Sequence, residues 1–447
     1  MVQGPMLLVI LAVAIVMIVL LISRFKVHAF LALLAASFFV GFAAGMNPID
    51  VTKTIMKGFG GTVERIGIVI IAGTIIGVFL EQTGAALTMA ETVLKWVGAK
   101  RPALAMSIIG YITSIPVFCD SGFVILSALN KSLSKKSGVS MAVMATALST
   151  GLYATHTLVP PTPGPIAAAN NLHADLGMVI FIGLIVAIPV TIAGYLWATK
   201  FASQYEVIAV TSVSYEELLE KFKTLPSAFS AFTPLVLPIV LIGLSSVPNF
   251  PGKPFGDGSL KLAINFIGEP MNALLLGFFS CFLLVPKLNE EVLSNWVGQG
   301  IKDAAAIIFI TAAGGSLGAL LAASKIADYL GASLAVFNLG IFLPFVIAAA
   351  LKTAQGSSTV SLITTSAIIY PMLGTLGLAS PTGAVLATMA VGCGAMVVSH
   401  ANDSYFWVVS QFSDLKVNLA YKCQTLGTLV QGLVGIAVVY VLKIVLI

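Results

Sequence analysis

Four short segments place polar, Gly or Pro residues inside stretches that are otherwise apolar, and their residue types could do chemistry. The first is Ser114–Gly122. Within it, Pro116 removes a backbone donor, Gly122 permits unusual dihedral angles, and Asp120 puts a carboxylate beside the break. A charge surrounded by hydrocarbon costs about 2.5 to 3.5 kcal/mol on insertion scales, so such a residue is a functional candidate. Asp120 could bind a proton that travels with a substrate; the alternative is a carboxylate that only caps the following helix.

The second segment, Thr150–Pro165, contains four prolines that cannot continue an α-helix. A helix that starts near Val139 is therefore expected to unwind here. Unwinding would free backbone groups beside His156 and its neighbouring threonines, and these groups could bind a carboxylate and hydroxyls. A buried histidine that only satisfies the core is the alternative.

The third segment is Lys352–Val360, with the sequence KTAQGSSTV. Its Gly-Ser-Ser-Thr turn leads into an apolar stretch and could present backbone N–H groups at a helix N-terminus, which attracts anions. The GxxxxGK[ST] spacing of a phosphate-binding loop is absent. The segment is a candidate carboxylate cradle, and a tight polar turn without a ligand is the alternative.

The fourth segment is Val398–Trp407, where a Gly-rich stretch runs into His400, Asn402 and Asp403. Its place in the second half of the chain is expected to correspond to that of His156 in the first half. Two histidines on two broken helices would then share one site near the middle of a membrane. The alternative places the histidine and the aspartate of this segment at the membrane interface.

Several other classes of site are not indicated. No HExxH or paired-carboxylate spacing supports a membrane-embedded hydrolase. The four cysteines show no CxxC spacing, so neither a disulfide framework nor a thiolate metal site is indicated, and no cofactor is expected. The formal net charge of +5 forms no basic face that would suit nucleic acid.

The elements that must position these segments are membrane helices. The 447 residues are 58% hydrophobic and 9% charged, whereas soluble globular proteins are about one-quarter charged. Apolar runs of about 17 to 25 residues recur along the chain, and each could cross about 30 Å of hydrocarbon as a helix. Membrane lipid is therefore the expected solvent.

About ten spanning helices are predicted, near residues 5–22, 27–46, 64–81, 139–158, 176–198, 229–247, 265–286, 303–322, 382–401 and 424–446. Residues 103–133 and 335–370 are each long enough for two short legs, and each is interrupted where a spanning helix should be continuous. We expect these two stretches to form re-entrant hairpins, which occur at membrane depth where they are buried in protein or line a wet cavity.

The distribution of Lys and Arg predicts the orientation. With both termini extracytoplasmic, most basic residues fall on the cytoplasmic side if residues 103–133 enter and leave the membrane on that side. The first apolar run has no basic residue ahead of it and no obvious cleavage site, so it is predicted to be a membrane helix and not a signal peptide. A multi-pass protein of the inner membrane is expected.

The order of elements is the same in the two halves of the chain. The predicted division is residues 1–200, a cytoplasmic linker at 201–225, and residues 226–447, with broken helices at about 139–165 and 382–407. Each half has an odd number of crossings, so the second half is expected to be inverted relative to the first. The predicted fold class is an all-α polytopic membrane protein with two inverted-topology repeats, each holding a re-entrant hairpin and a broken transmembrane helix.

The four polar segments resemble those of the gluconate permease (GntP-type) family of the ion transporter superfamily. The matching stretches are Ile115–Phe123, Ala154–Pro165, Ala354–Val360 and Ser399–Trp407, and with hydropathy the likeness covers nearly the whole chain. The resemblance implies proton-coupled import of gluconate or a related acid by a homodimer, whose transport domains move by an elevator mechanism. Related members take other sugar acids, glycerate or D-serine, so the resemblance does not fix the substrate.

We therefore predict a carrier, and not an enzyme, that imports a small organic anion together with a proton. The candidates for proton coupling are Asp120, His156, His400 and Asp403. The residues expected to bind the substrate come from all four segments: Ser121, Thr155, His156, Thr157, Thr162, Gln355, Gly356, Ser357, Ser358, Thr359, His400, Asn402 and Ser404. A sodium-coupled carboxylate carrier is the first alternative. A channel or a membrane enzyme is the second.

Overall fold

The computed structural model describes residues 2, 4–98, 101–209, 220, 222, 224–246, 258–324, 339–400 and 403–447. The regular structure among these residues is helical throughout. In the first half the α-helices are α1 (Met6–Ser23), α2 (Ala29–Ala43), α3 (Pro48–Gln82), α4 (Ala85–Val97), α5 (Pro102–Thr113), α6 (Cys119–Ser137), α7 (Met141–Leu158), α8 (Pro163–Asn171) and α9 (Leu176–Lys200).

The second half begins with α10 (Ala228–Ser246), α11 (Ser259–Gly268), α12 (Pro270–Ser280) and α13 (Val297–Ala323), the last preceded by a π-helical turn. It continues with α14 (Phe342–Gln355), α15 (Ser358–Ile369), α16 (Pro381–Ala395), α17 (Ser404–Phe412) and α18 (Leu426–Leu446). We refer to α5 and α6 as hairpin 1 and to α14 and α15 as hairpin 2.

Length and hydropathy mark several of these helices as membrane spans. Four stretches of the described chain are long and apolar enough to cross a bilayer: Leu176–Gln204, Ala228–Ser245, Glu291–Ala323 and Val417–Leu446. Two bent pairs pass the same test as single spans, Pro48–Arg65 with Gly67–Gln82 and Ser259–Gly268 with Pro270–Leu284, with bends of 47° and 66°. Shorter apolar helices, among them α2, α5, α14 and α16, accompany them.

The helices end where the sequence offers no way to continue them. Hairpin 1 turns between Thr113 and Cys119, around the predicted break at Pro116. Hairpin 2 turns at Gly356, whose φ of 92° is a left-handed conformation that favours glycine. The first broken helix stops at Leu158, two residues before the proline run. The predicted hairpins and helix breaks are therefore present.

The second half repeats the packing of the first. Helix α5 packs on α7 as α14 packs on α16, and α7 packs on α9 as α16 packs on α18. Contacts between the halves repeat as well, because α6 packs on α17 and its counterpart α15 packs on α8. The predicted all-α fold with two repeats, each holding a hairpin and a broken helix, is confirmed. The division at residues 1–200, 201–225 and 226–447 stays a prediction, and most of the linker lies outside the described residues.

Two close crossings show the repeat at atomic detail. A Cβ atom on Gly151 of α7 would lie 2.3 Å from the carbonyl oxygen of Ser107 on α5. A Cβ atom on Gly394 of α16 would lie 2.3 Å from the carbonyl oxygen of Phe345 on α14. Small residues allow helix backbones to approach this closely in membranes, where the lipid gives no hydrophobic drive for association. In each half, a glycine of the broken helix thus allows the hairpin to pack closely against it.

The packing around α3 and α13 does not follow the repeat. These two helices pack on each other along much of their length. Helix α8 packs on α3, and α15 packs on α13. Among the described residues, the counterparts α17 and α6 make no comparable contact with α13 or α3. The molecule is therefore closed at one face, between α8 and α15 and the α3–α13 pair, and is not closed at the equivalent face.

Candidate functional site

All four polar segments meet at one cavity with a volume of about 270 Å³. It lies at the turn of each hairpin and at the start of α17, with the last turns of α7 along one side. The residues that line it are Phe118, Cys119, Asp120, Tyr153, His156, Gly356, Ser357, Ser358, Thr359, Asp403, Ser404 and Tyr405. Residues from the two halves of the chain therefore form one site.

Three helices begin at this cavity. Helix α6 starts at Cys119, α15 at Ser358 and α17 at Ser404. The first N–H groups of a helix have no partner inside it, and the helix dipole places partial positive charge at the same end. Side chains cap two of these ends, since Val360 N–H donates to Ser357 Oγ at 3.2 Å and Tyr405 N–H donates to Asp403 Oδ1 at 3.1 Å. The remaining N–H groups make the cavity suitable for an anion.

Asp120 joins hairpin 1 to the second broken helix. Its Oδ1 atom accepts a hydrogen bond from Ser404 Oγ at 3.3 Å, and Cys119 Sγ lies 3.8 Å from Oδ2. Among the described residues, no Lys or Arg forms an ion pair with it. Asp120 is therefore a carboxylate at the cavity without a cationic partner.

Asp403 has such a partner. The ammonium of Lys352, which is fully buried, lies 2.6 Å from Asp403 Oδ2 and donates to the carbonyl oxygen of Gly356 at 2.6 Å. Ser399 Oγ donates to the same carboxylate oxygen at 2.6 Å. A buried ion pair is stable only when further hydrogen bonds support it, and here the Gly356 carbonyl and the Ser399 hydroxyl each supply one. Lys352 thus ties the turn of hairpin 2 to the N-terminus of α17.

His156 lies at the edge of the cavity with a free ring nitrogen. Its side chain is buried, and Nδ1 has no hydrogen-bond partner in the described part of the chain. The ring stacks on Tyr153, with centroids 6.3 Å apart, and lies 6.0 Å from the ring of Phe118. A buried nitrogen of this kind could bond to a ligand in the cavity.

Three threonines expected at the site do not line the cavity. Each donates its hydroxyl to a carbonyl oxygen: Thr155 to Tyr111 at 2.9 Å, Thr157 to Tyr153 at 3.1 Å and Thr162 to Val159 at 2.7 Å. The expectation of free N–H groups at residues 155–157 is wrong, because α7 stays helical through Leu158 and uses those groups within the helix.

The other predicted residues lie around this cavity or outside the described chain. Ser121 is half-buried on α6 and is not part of the lining. His400 Nε2 lies 2.8 Å from the carbonyl oxygen of Thr353, so it contacts hairpin 2. Gln355 is the last residue of α14, and Asn402 lies outside the described residues. The roles assigned to these residues stay predictions.

His156 and His400 do not occupy equivalent positions, so that expectation is also wrong. His156 lies in the last turn of α7. His400 follows α16, which ends at Ala395. The second broken helix stops earlier relative to its histidine, and the ring therefore lies in the connection and not on the helix.

Sequence reasoning missed Lys352 and two tyrosines. The rings of Tyr153 and Tyr405 stack with centroids 5.1 Å apart, and the Tyr405 hydroxyl donates to the carbonyl oxygen of Ser149 at 2.9 Å. The sequence could have identified Lys352, because a lysine inside an apolar hairpin leg is a functional candidate. Its partner could not be identified, because Asp403 lies 51 residues away in the sequence.

The fold and the cavity define the class of protein. Two repeats bring helix N-termini from hairpins and a broken helix to one internal polar cavity, an arrangement found in secondary transporters of the membrane.

Comparison with known proteins gives the family. Residues 6–445 match the family described as GntP family permease, and the chain belongs to that family. It is 32% identical to a gluconate permease of Pseudomonas aeruginosa, over 97% of this chain and 97% of that protein. It is also 32% identical to the D-serine transporter DsdX of Escherichia coli K12, over 98% of each. The predictions of the family and of a transporter in place of an enzyme are confirmed.

The fold is shared with a solved membrane transporter. The YdaH transporter of Alcanivorax borkumensis superposes with a TM-score of 0.66, over 88% of each chain, at 15% sequence identity. At this identity the likeness concerns the fold alone. Together with the apolar helices and the family, it defines this chain as a multi-pass membrane permease.

Proposed function

We propose that this permease imports gluconate or a related small hydroxy acid in symport with a proton, by alternating access of the elevator type. One observation carries the proposal. Three helix N-termini from both repeats meet at one small polar cavity, and Asp120 is its one carboxylate without a cationic partner among the described residues.

The substrate class follows from the donors at the cavity and from the relatives. The first N–H groups of α15, at Ser358 and Thr359, suit a carboxylate, and the hydroxyls of Thr359 and Ser404 suit substrate hydroxyls. Gluconate and D-serine, named for two relatives, each carry a carboxylate and at least one hydroxyl. D-serine is therefore the second candidate substrate.

The charges explain why a proton should accompany the anion. The charges of Lys352 and Asp403 cancel. The cavity therefore carries one negative charge when Asp120 is ionised and none when Asp120 is protonated. At a separation of roughly 6 Å and an effective dielectric constant near 20, two like charges repel by about 3 kcal/mol. That repulsion corresponds to about a hundredfold loss of affinity. Substrate and proton therefore favour each other at the site.

The asymmetry of packing supports alternating access. Helices α8 and α15 pack on α3 and α13 at one face, while their counterparts α17 and α6 do not. In an inverted repeat, the two halves can exchange conformations, so that α17 and α6 would pack on the α3–α13 pair and α8 and α15 would separate from it. The opposite face would then be closed. We propose that the hairpins and broken helices move as one transport domain against a scaffold built around α3 and α13.

The proposal is tested by accumulation of labelled gluconate in proteoliposomes. One anion with one proton is electroneutral, so the accumulation ratio should follow the pH gradient, about tenfold per unit, and a membrane potential alone should drive none. Asp120→Asn should abolish accumulation while substrate exchange continues. Asp303→Asn, which changes an exposed carboxylate on α13 bonded to Gln299, is the matched control. Unchanged accumulation in Asp120→Asn would remove Asp120 from the coupling role.

The alternatives give different results in the same vesicles. A sodium gradient at constant pH would drive uptake by a sodium-coupled carrier and should have no effect here. A channel would conduct without saturable exchange. A panel of gluconate, other aldonates, uronates, glycerate and D-serine, measured at two pH values, would identify the substrate.

Location and assembly belong to the same proposal. We propose the inner membrane, with both termini extracytoplasmic, from the distribution of Lys and Arg. We propose a homodimer from the family resemblance. Labelling of cysteines introduced at the two termini with an impermeant reagent would test the orientation, and the mass of the purified protein in detergent would test the dimer.

A further inference from the structure

A chain of three side chains crosses the closed face of the molecule. Arg65 on α3 lies with Nη1 3.0 Å from Nε2 of His173, in the turn between α8 and α9. The His173 ring stacks on the ring of Tyr370, which follows α15, with centroids 4.5 Å apart and an interplanar angle of 25°. One histidine therefore links α3 to hairpin 2 and to the first broken helix.

The chemistry of the Arg65 contact requires a neutral histidine. Arginine has donors and no acceptor, so Nε2 of His173 must accept and the ring proton must be on Nδ1. A second ring proton would place two N–H donors against each other and two positive charges about 3 Å apart. The contact can form with the neutral ring and is opposed in the protonated form.

The neighbouring groups do not offset that repulsion. The small cleft around the contact is lined by Lys57 and Arg65 from α3, by Tyr370, and by Gly and Ala residues from α13. No carboxylate is part of this lining in the described chain, since Glu64 and Asp175, although close in sequence, do not line the cleft. A proton on His173 would add a third positive charge to the cleft.

We propose, building on the alternating access proposed above, that Arg65 and His173 are positioning residues which hold this face closed while the histidine is neutral and release it when the histidine is protonated. Release would separate α8 and α15 from α3, since His173 connects them. In the orientation proposed above, the His173 turn precedes α9 on the extracytoplasmic side. The face would therefore open more readily when that compartment is acidic, which is the side from which a proton-coupled importer loads.

The direction of the pH dependence follows from the pKa of His173. Partial burial and the neighbouring Arg65 guanidinium lower the pKa of His173 below its ordinary value of 6.5, although a backbone hydrogen bond at Asn171 raises it somewhat. The contact is therefore fully formed above about pH 6.5 and is lost as the pH falls through the lowered pKa.

Distances between spin labels test this without any transport measurement. Labels on cysteines introduced at Lys53 of α3 and at Met178 of α9, both exposed, would report the separation across the face. The four native cysteines are buried, and the protein without introduced cysteines gives the background. Without substrate we expect one short distance at pH 8 and a several-fold larger population of long distances at pH 5.5.

Variants assign the response to the two residues. His173→Gln keeps an acceptor but cannot be protonated, so it should keep the short distance at both pH values. Arg65→Met should lose most of the response, and Arg65→Lys, which keeps a charged donor, should restore part of it. A wild-type distance that ignores pH, or an unchanged pH response in either His173→Gln or Arg65→Met, would overturn the proposal.

The result is separable from the proposed function. Asp120→Asn should retain the pH-dependent distance change, because Asp120 lies at the central cavity and not at this face. If gluconate accumulation failed in every assay, the distance change would still decide whether Arg65 and His173 act as described. If the distance change were absent while accumulation followed the pH gradient, only this inference would be lost.

Discussion

The same turn occurs once in each half of the molecule. The two copies contact the neighbouring hairpin through different kinds of interaction. His173 and Asp414 each lie 10 residues after the start of the second part of a broken helix, and both have a positive φ. Their partners, Tyr370 and Lys131, each lie 12 residues after the start of α15 or α6. In one half the tie is a ring stack at 4.5 Å; in the other it is an ion pair at 2.9 Å.

The two faces differ further in what reaches them from α3 and α13. Arg65 lies 17 residues before the last residue of α3, and the same step back from the last residue of α13 arrives at Ala306. In the described part of the chain, Arg65 of α3 contacts the His173 turn, and an alanine stands at the matching step of α13. The repeat supplies the same geometry twice, and single side chains then give each face its own stability.

The central cavity shows the same principle. The second residue of α6 is Asp120, and the second residue of α15 is Thr359. The residue before α17 is Asp403, paired with Lys352, whereas the residue before α8 is Thr162. The backbone arrangement is symmetric, but the charges are not. We attribute the proposed preference for an anion with a proton to this asymmetry.

The largest effect is expected at the buried ion pair. Lys352→Met leaves Asp403 charged and unpaired inside the protein, which should cost about 3 to 5 kcal/mol of stability. Lys131→Met, which breaks the partly exposed pair with Asp414, should cost about 1 kcal/mol or less. Thermal unfolding in detergent measures both, and Lys352→Met combined with Asp403→Asn should recover part of the loss. Equal losses in the two single variants would contradict the comparison.

An intermediate effect is expected where the repeat is symmetric. Gly151→Ala and Gly394→Ala each force a Cβ atom against a carbonyl oxygen of the neighbouring helix, so each should destabilise the protein by about 1 to 3 kcal/mol. Gly60→Ala is the control, because no atom of a neighbouring helix lies within 4 Å of the added group and alanine favours a helix. The same thermal measurement applies, and a large difference between Gly151→Ala and Gly394→Ala would show that the two crossings are not equivalent.

The smallest effect is expected from adding the missing arginine. Ala306→Arg places a guanidinium on an exposed position of α13, where it could meet Asp414 only when that face closes. An exposed ion pair contributes up to about 1 kcal/mol. Opening of the second face, once the introduced arginine has paired with Asp414, should therefore slow by about fivefold at most. The rate of substrate exchange in vesicles measures this, with Ala306→Gln as the control. Identical rates in the two variants would mean that the second face never closes in this way.

Much of the fold could be predicted because helix breaks in an apolar chain are local signals. Proline, glycine and polar clusters identified both hairpins and both broken helices, and the segments that contain them do meet at one cavity. The N–H groups at residues 155–157 were misjudged because Pro160 restricts the residue before it and leaves the preceding helix intact through Leu158.

The partners across the molecule could not be predicted. Lys352 with Asp403 and Arg65 with His173 are 51 and 108 residues apart in the sequence. A pattern of hydropathy states which residues are buried, but it does not state which of them touch. The charged partners at the site could therefore be assigned only from the structure, although the helix breaks that form it could be predicted from the sequence.

Proton uptake on substrate binding tests the central claim most directly. Gluconate added to the purified permease in weakly buffered solution, with a pH-sensitive dye, should remove about one proton per anion bound where Asp120 is ionised beforehand. Asp120→Asn should bind gluconate with no proton uptake. Binding by the wild-type protein without proton uptake, or unchanged uptake in Asp120→Asn, would contradict the account.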